Sequence, residues 1–203
     1  DVAPSRGLGD VYKRQTLGRM CGIDLPLETK TYEELQKLSL QNTGEKIPLF
    51  SDVLKLVDGR VPLLIEIKLH SHHTYPCALV DKLLQGYQGS YCIESFNSLA
   101  LFWYRRNRPD VVRGQLSSNL TSPVAEGGYV LSFLVKHLLT NCIGRPDFIA
   151  YCYKDSRNLS FCLNRHLYKT PVFAWTLRTP EAYETCKKRF DSVIFDSFLP
   201  PKQ

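Results

Sequence analysis

The chain has 203 residues, and its length and composition agree with a single globular domain. Its 26 basic and 20 acidic residues give a net charge of +6, a mild excess that favours an anionic substrate. No basic and aromatic motif is present, so nucleic acid is excluded as a predicted partner. The seven cysteines form no CxxC pair, which indicates reduced, buried thiols and predicts a cytoplasmic protein.

The first segment, residues 1–15, does not look like part of the domain. It mixes charges with glycines and resembles a translated adaptor or assembly artefact. A genuine disordered arm is the alternative, because the same composition permits disorder. We therefore predict a non-native or disordered leader over residues 1–15 and a domain over residues 16–203.

The segment 62–68 predicts a buried parallel strand that ends in a carboxylate and an amine. Alternation places Leu64, Glu66 and Lys68 on one face of this strand. In a closed barrel the inner face at the carboxyl end binds substrates and metals. A glutamate there can ligate a hard divalent cation, and a lysine can contact an anionic oxygen. Taken alone, a solvent-facing pair on an edge strand is the alternative.

Short apolar runs alternate with amphipathic stretches through the rest of the chain. Strands are predicted over 91–95, 111–117, 147–152, 172–176 and 192–196, and helices over 98–106, 129–139, 160–167 and 180–189. This alternation predicts a parallel sheet with helical crossovers. A TIM-type barrel and a doubly wound sheet both fit, but no Gly-rich fingerprint of a dinucleotide-binding sheet is present.

Two further features of these segments bear on function. Glu94, near the end of the segment 91–95, is a candidate carboxylate at the rim that would support the site from behind the direct ligands, and the sequence leaves open which face it occupies. The apolar run 129–139 is too short to span a bilayer, which takes about 20 apolar residues, so we predict no stable membrane insertion.

Several segments resemble, in the same order, the glycerophosphodiester phosphodiesterase family, whose domain is a TIM barrel. The matching segments are 16–22 (TLGRMCG), 45–54 (EKIPLFSDVL), 63–68 (LLIEIK), 95–97 (SFN), 172–176 (VFAWT) and 193–200 (VIFDSFLP). The resemblance implies an α/β fold of the (β/α)8 TIM type that is incomplete and lacks about the first two strands. A complete TIM barrel has roughly 250 residues, which is more than this chain provides.

The resemblance also implies roles for individual residues. In this family two histidines act as general acid and base, and three carboxylates hold one divalent metal, Mg or Ca. Of these groups only Glu66 has a counterpart here, as a metal ligand. Lys68 matches the lysine that helps to bind phosphate, and Trp175 matches the aromatic residue that lines the substrate pocket.

The family segments that carry the catalytic histidines do not appear before Thr16. No catalytic residue is therefore retained, and we expect the chain itself to be close to inactive, since a positioned acid or base contributes about a hundred- to ten-thousandfold in rate. For the full-length protein the resemblance implies metal-dependent hydrolysis of small-molecule glycerophosphodiesters to glycerol phosphate and an alcohol.

Two alternatives to this function remain. The first is a non-catalytic barrel remnant that binds phosphate-bearing headgroups. The second is a related, phospholipase-like barrel that acts on a lipid phosphodiester. Upstream sequence with the family's histidine segments would favour an enzyme, whereas a natural start near Thr16 would favour the binding protein. The sequence does not indicate an oligomeric state.

Overall fold

The computed structural model describes residues 17–23, 25, 27–41, 43–69, 73–120 and 128–200. The strands are β1 Leu63–Glu66, β2 Tyr91–Ser95, β3 Arg113–Ser117, β4 Phe148–Cys152, β5 Val172–Leu177 and β6 Ser192–Phe195. The helices are α1 Gly18–Cys21, α2 Tyr32–Leu35, α3 Phe50–Val57, α4 Tyr75–Leu84, α5 Ser98–Asn107, α6 Gly128–Lys136, α7 Asn141–Gly144, α8 Leu159–His166 and α9 Pro180–Lys187. The predicted leader, 1–15, lies outside the described residues.

The strands form one sheet in the order β1-β2-β3-β4-β5-β6, and every neighbouring pair is parallel. Helices alternate with strands, so the described residues form a curled half-barrel that fits part of an α/β barrel of the TIM type. The predicted parallel sheet is confirmed, and among the described strands the Glu66 strand lies at one edge. How many strands a complete domain would add stays a prediction.

Side-chain caps set the points at which the chain turns from strand to helix. Asn97 accepts a hydrogen bond from an amide in the first turn of α5, at 3.0 Å, and Asn158 does the same for α8, at 2.9 Å. Thr179 caps α9, at 3.2 Å, directly before Pro180. Such residues satisfy amides that have no partner within the helix. The local sequence therefore fixes where these crossover helices begin.

Two apolar clusters lie between the sheet and its helices. The first joins β1 and β2 to α3, α4 and α5 through Leu54, Ile67, Leu69, Cys77, Leu84, Ile93, Ala100, Tyr104 and Val111. The second joins β4 and β5 to α8 and α9 through Leu138, Ile149, Tyr151, Phe161, Val172, Ala174, Leu177, Tyr183, Cys186 and Phe190. Burial of these side chains is the main force that holds the helices on the outer face of the sheet.

A third cluster fills part of the inner face of the half-barrel. Its buried members are Leu116, Phe148 and Ala150, with partly buried Cys92, Phe96, Phe173 and Trp175 packed against them. Phe148 and Phe173 stack with ring centroids 4.4 Å apart. Phe148 also covers Gly114, where any side chain would collide with the ring. The inner wall is thus apolar over β3 to β5.

The structure departs from the predicted elements in a few places. The helix predicted over 129–139 ends at Lys136, and Leu138 adopts a left-handed conformation with φ 56°. The sequence patterns did not predict α4 or α7, and α7 has only four residues, too few for a periodic pattern. The seven cysteines are free thiols, but the prediction that they are buried holds only for Cys77 and Cys186, and Cys142 is exposed. Among the described residues, no helix has both the length and the apolar character that a membrane crossing requires.

Candidate active site

Glu66 lies at the carboxyl end of β1 on the inner face of the half-barrel. The strand register pairs Glu66 with Glu94, Glu94 with Gly114, and Gly114 with Phe148. Paired residues on parallel strands share a face, and Phe148 belongs to the inner cluster. Ile67, one residue beyond Glu66, is 4% exposed in the outer cluster. The predicted alternation along this strand is therefore confirmed.

Lys68 follows β1 directly and stays close to the carboxylate. Its Nζ lies 3.6 Å from Oε2 of Glu66, and the side chains of Lys68 and Glu66 are 46% and 34% exposed. An ion pair this exposed contributes little to stability. Its main effect is to keep a positive charge beside the carboxylate at the open rim.

Glu94 is the functional candidate whose orientation the sequence left open. The structure places it on the inner face, beside Glu66, and buries it to 6% exposure. Burial, reinforced by the negative charge of Glu66, raises the pKa of Glu94 to about 8. Its Oε2 atom is buried, and none of the described residues makes a hydrogen bond to it. A buried carboxyl with an unsatisfied oxygen is costly, so it calls for an explanation.

Trp175 forms part of the same inner wall. Its indole Nε1 donates a hydrogen bond to the carbonyl of Ala150, at 2.9 Å. Phe96 meets the ring edge to face, with centroids 5.5 Å apart. These two contacts hold the indole in one orientation on the face that also carries Glu66.

A buried polar network behind the rim was not predicted from the sequence. Gln115 is fully buried, and its amide donates to the carbonyls of Ser95 and Phe96 at 3.2 and 3.1 Å. Its Oε1 accepts from the hydroxyl of Ser98, at 2.8 Å, while Ser95 Oγ donates to the carbonyl of Ile67, at 2.6 Å. The network joins the carboxyl ends of β1, β2 and β3. A glutamine in the middle of a predicted strand is the sequence signal that could have pointed to it.

The Glu66 and Glu94 pair fits part of the coordination shell of a hard cation. Carboxylate oxygens are preferred ligands of Mg and Ca, and Glu94 provides one that nothing else occupies. Within the part of the chain that the structure describes, no group of three or more His, Cys, Asp or Glu side chains could hold a metal. Since calcium takes about six to eight oxygen ligands, water or other oxygen atoms would have to complete the shell.

A separate groove of about 530 Å³ lies on the outer side, between the α6–α7 segment and α8. His137 and Ser160 line it, with His137 Nδ1 and Ser160 Oγ 3.2 Å apart. None of Glu66, Lys68 and Trp175 lines this groove. The predicted site and the groove are therefore different places on the molecule.

No protein-family model matches the sequence, and no curated protein matches it. Solved structures do match. A glycerophosphodiester phosphodiesterase from Thermotoga maritima is 22% identical, with 89% of this chain and 72% of that chain covered and a TM-score of 0.62. A phosphodiesterase from Oleispira antarctica, in complex with the product sn-glycerol-3-phosphate, is 14% identical, with 89% and 72% covered and a TM-score of 0.69.

A glycerophosphodiester phosphodiesterase from Agrobacterium tumefaciens is 15% identical, with 90% of this chain and 75% of that chain covered and a TM-score of 0.60. Similarity at these identities concerns the fold. It confirms the predicted resemblance at that level, because the neighbours share one type of domain. The chain has the fold of the glycerophosphodiester phosphodiesterase domain over about nine tenths of its length.

Proposed function

We propose that the chain is part of a glycerophosphodiester phosphodiesterase domain. The completed domain hydrolyses glycerophosphodiesters to glycerol phosphate and an alcohol, with Mg or Ca as cofactor. The observation that carries this proposal is the position of Glu66. It lies at the carboxyl end of a parallel strand, beside Lys68 and on the same inner face as Trp175.

The chemistry of the substrate requires such a site. A phosphodiester is anionic and its alkoxide is a poor leaving group, so catalysis depends on neutralising charge and protonating the departing oxygen. A bound divalent cation supplies the charge neutralisation. Glu66 would hold the cation, and Lys68 would add a positive charge against a phosphate oxygen. Trp175 would form the apolar wall against the organic part of the substrate.

The support for the substrate class comes from the fold and from one neighbour. The Oleispira antarctica phosphodiesterase binds sn-glycerol-3-phosphate, the product expected of this reaction. We propose the same class of small-molecule substrate here, in the lipid metabolism of the cytoplasm. The two catalytic histidines implied by the resemblance have no counterpart in this chain, so its own hydrolytic rate is expected to be at least about a hundredfold below that of the completed domain.

The test compares the 203-residue chain with a longer protein that also contains the coding sequence upstream of it. Both proteins are assayed with glycerophosphocholine, with and without Mg or Ca, beside the Glu66→Gln and Glu184→Gln variants of the longer protein. Glu184 is an exposed carboxylate on α9 and serves as the matched control. We expect cation-dependent hydrolysis by the longer protein, loss of about a hundredfold or more in Glu66→Gln, and no change in Glu184→Gln.

Three results would contradict parts of the proposal. Hydrolysis by the 203-residue chain at the rate of the longer protein would refute its inactivity. A longer protein that binds glycerophosphodiesters without cleaving them would favour the non-catalytic alternative. Cleavage of intact phospholipids in preference to glycerophosphodiesters would favour the phospholipase-like alternative.

A further inference from the structure

Glu94 has surroundings that do not suit a carboxylate without a ligand. On one side its register partner is Glu66, a second acid. On the other side its partner is Gly114, whose space is filled by the ring of Phe148. Two residues before Glu94 on the same face stands the thiol of Cys92, and two residues after it stands Phe96. No ion pair of Glu94 is found among the described residues, whereas Glu66 has Lys68.

The Oε2 atom of Glu94 marks the position at which a ligand could bind. Glu94 is 6% exposed, and no described residue makes a hydrogen bond to its buried Oε2 atom. Leaving such a group unpaired is costly. The neighbouring acid adds repulsion when both groups are ionised, since Glu66 is the register partner of Glu94 on the same face. A cation between the two ionised carboxylates removes both penalties, whereas a water molecule relieves only the first and a proton on Glu94 only the second.

We propose that Glu94 is a second carboxylate ligand of the divalent cation at Glu66, so that the two register partners on β1 and β2 hold the ion together. This inference rests on the proposed function, which places a cation at Glu66. The pair approaches the ion from adjacent strands about 4.8 Å apart, a spacing that lets two side chains reach one ion. Mg, Ca or Mn would be accepted, because all three prefer carboxylate oxygen.

The experiment measures cation binding without any assay of hydrolysis. Mn²⁺ is titrated into the 203-residue chain, and free Mn²⁺ is followed by electron paramagnetic resonance. Glu94→Gln, Glu66→Gln and the control Glu184→Gln are titrated in parallel. We expect Glu94→Gln and Glu66→Gln each to weaken Mn²⁺ binding by at least about tenfold, and Glu184→Gln to bind like the unsubstituted chain.

A second measurement distinguishes the loss of a cation ligand from a variant that fails to fold. The unfolding midpoint should rise with Mn²⁺ in the unsubstituted chain, because a ligand that binds only the folded state stabilises it. The rise should be smaller in Glu94→Asp, which keeps the charge but withdraws its oxygens by one methylene.

The outcomes separate this inference from the proposed function. If Glu66→Gln loses Mn²⁺ and Glu94→Gln binds like the unsubstituted chain, Glu94 is no ligand and the proposed function stands. If Glu94→Gln loses Mn²⁺ and Glu66→Gln does not, Glu66 is no ligand, which overturns both the shared site inferred here and the role of Glu66 in the proposed function. An unsubstituted chain that neither binds Mn²⁺ nor melts higher in its presence would overturn the inference.

Discussion

Glu66 of β1 and Glu94 of β2 are register partners on the inner face of the sheet, and the charge of the first raises the pKa of the second. The two acids differ in environment. Glu66 is partly exposed and lies beside Lys68, whereas Glu94 is buried and one of its oxygens has no partner. Their proximity is costly in the absence of a cation, and this cost leads to the first prediction.

The stability of the cation-free chain should depend on the protonation of Glu94. Its pKa rises from an ordinary 4.5 to about 8 on folding, so the folded state binds this proton more tightly than the unfolded state. The stabilisation of the folded state by the proton on Glu94 is complete below about pH 4.5 and is lost as the pH rises to about 8. Between these two pH values the free energy of unfolding falls by about 1.4 kcal/mol for each unit by which the pH rises.

Urea unfolding at about pH 5.5, 6.5 and 7.5, at low protein concentration and with divalent cations chelated, measures this dependence. Glu94→Gln should show a flatter decline with rising pH than the unsubstituted chain, because its amide does not titrate. Glu184→Gln is exposed and should keep the original slope. Equal slopes in Glu94→Gln and the unsubstituted chain would show that Glu94 ionises at its ordinary pKa.

Gly114→Ala should destabilise the inner wall. A methyl group at this position would collide with the ring of Phe148, which is itself stacked on Phe173. Overpacking of this kind costs about 1 to 3 kcal/mol, which exceeds the gain expected from replacing a glycine within a strand. The free energy of unfolding in urea measures the change.

Gly86→Ala is the matched control for that substitution. A methyl group there meets no atom within 4 Å, and the backbone φ is not positive. We expect a stability change between zero and a gain of about 1 kcal/mol, since alanine restricts the unfolded chain. If the two variants behaved alike, the ring of Phe148 would not lie against Gly114.

The isolated chain should self-associate through its open sheet. On their outer sides, β1 and β6 pair with no strand among the described residues, and Leu64 on β1 is 37% exposed. Free edges of this kind pair with other chains. We expect Leu64→Lys to reduce association in sedimentation or light scattering, and Leu56→Lys on α3, where leucine is 71% exposed, to change it less. A monodisperse monomer with a cooperative melt would contradict this prediction.

Most strands and several helices could be predicted from patterns within short segments of the sequence. The predicted strand 91–95 coincides with β2, and the segment 172–176 lies within β5. The helix predicted over 98–106 corresponds to α5, which Asn97 caps. These agreements have a local cause, because alternation and capping depend only on neighbours along the chain. Segments without a periodic signal, such as α7, escaped prediction.

Part of the candidate site could be predicted from the sequence. The face of Glu66 could be inferred because apolar residues mark the opposite face of its strand, and the structure agrees. The face of Glu94 could not be inferred, because Cys92, Ile93 and Ser95 do not separate an apolar face from a polar one. Gln115 was missed for a similar reason, since its partners come from other segments of the chain.

By itself the sequence determined the order of the six strands, four of the helices that follow them, the inward position of Glu66 and the resemblance from which roles for Lys68 and Trp175 are proposed. Only the tertiary structure decided that Glu94 stands beside Glu66 and that Gln115 ties three strand ends together. The reason is physical. Register and burial arise from contacts between segments far apart in the chain, and a pattern within one segment does not record them.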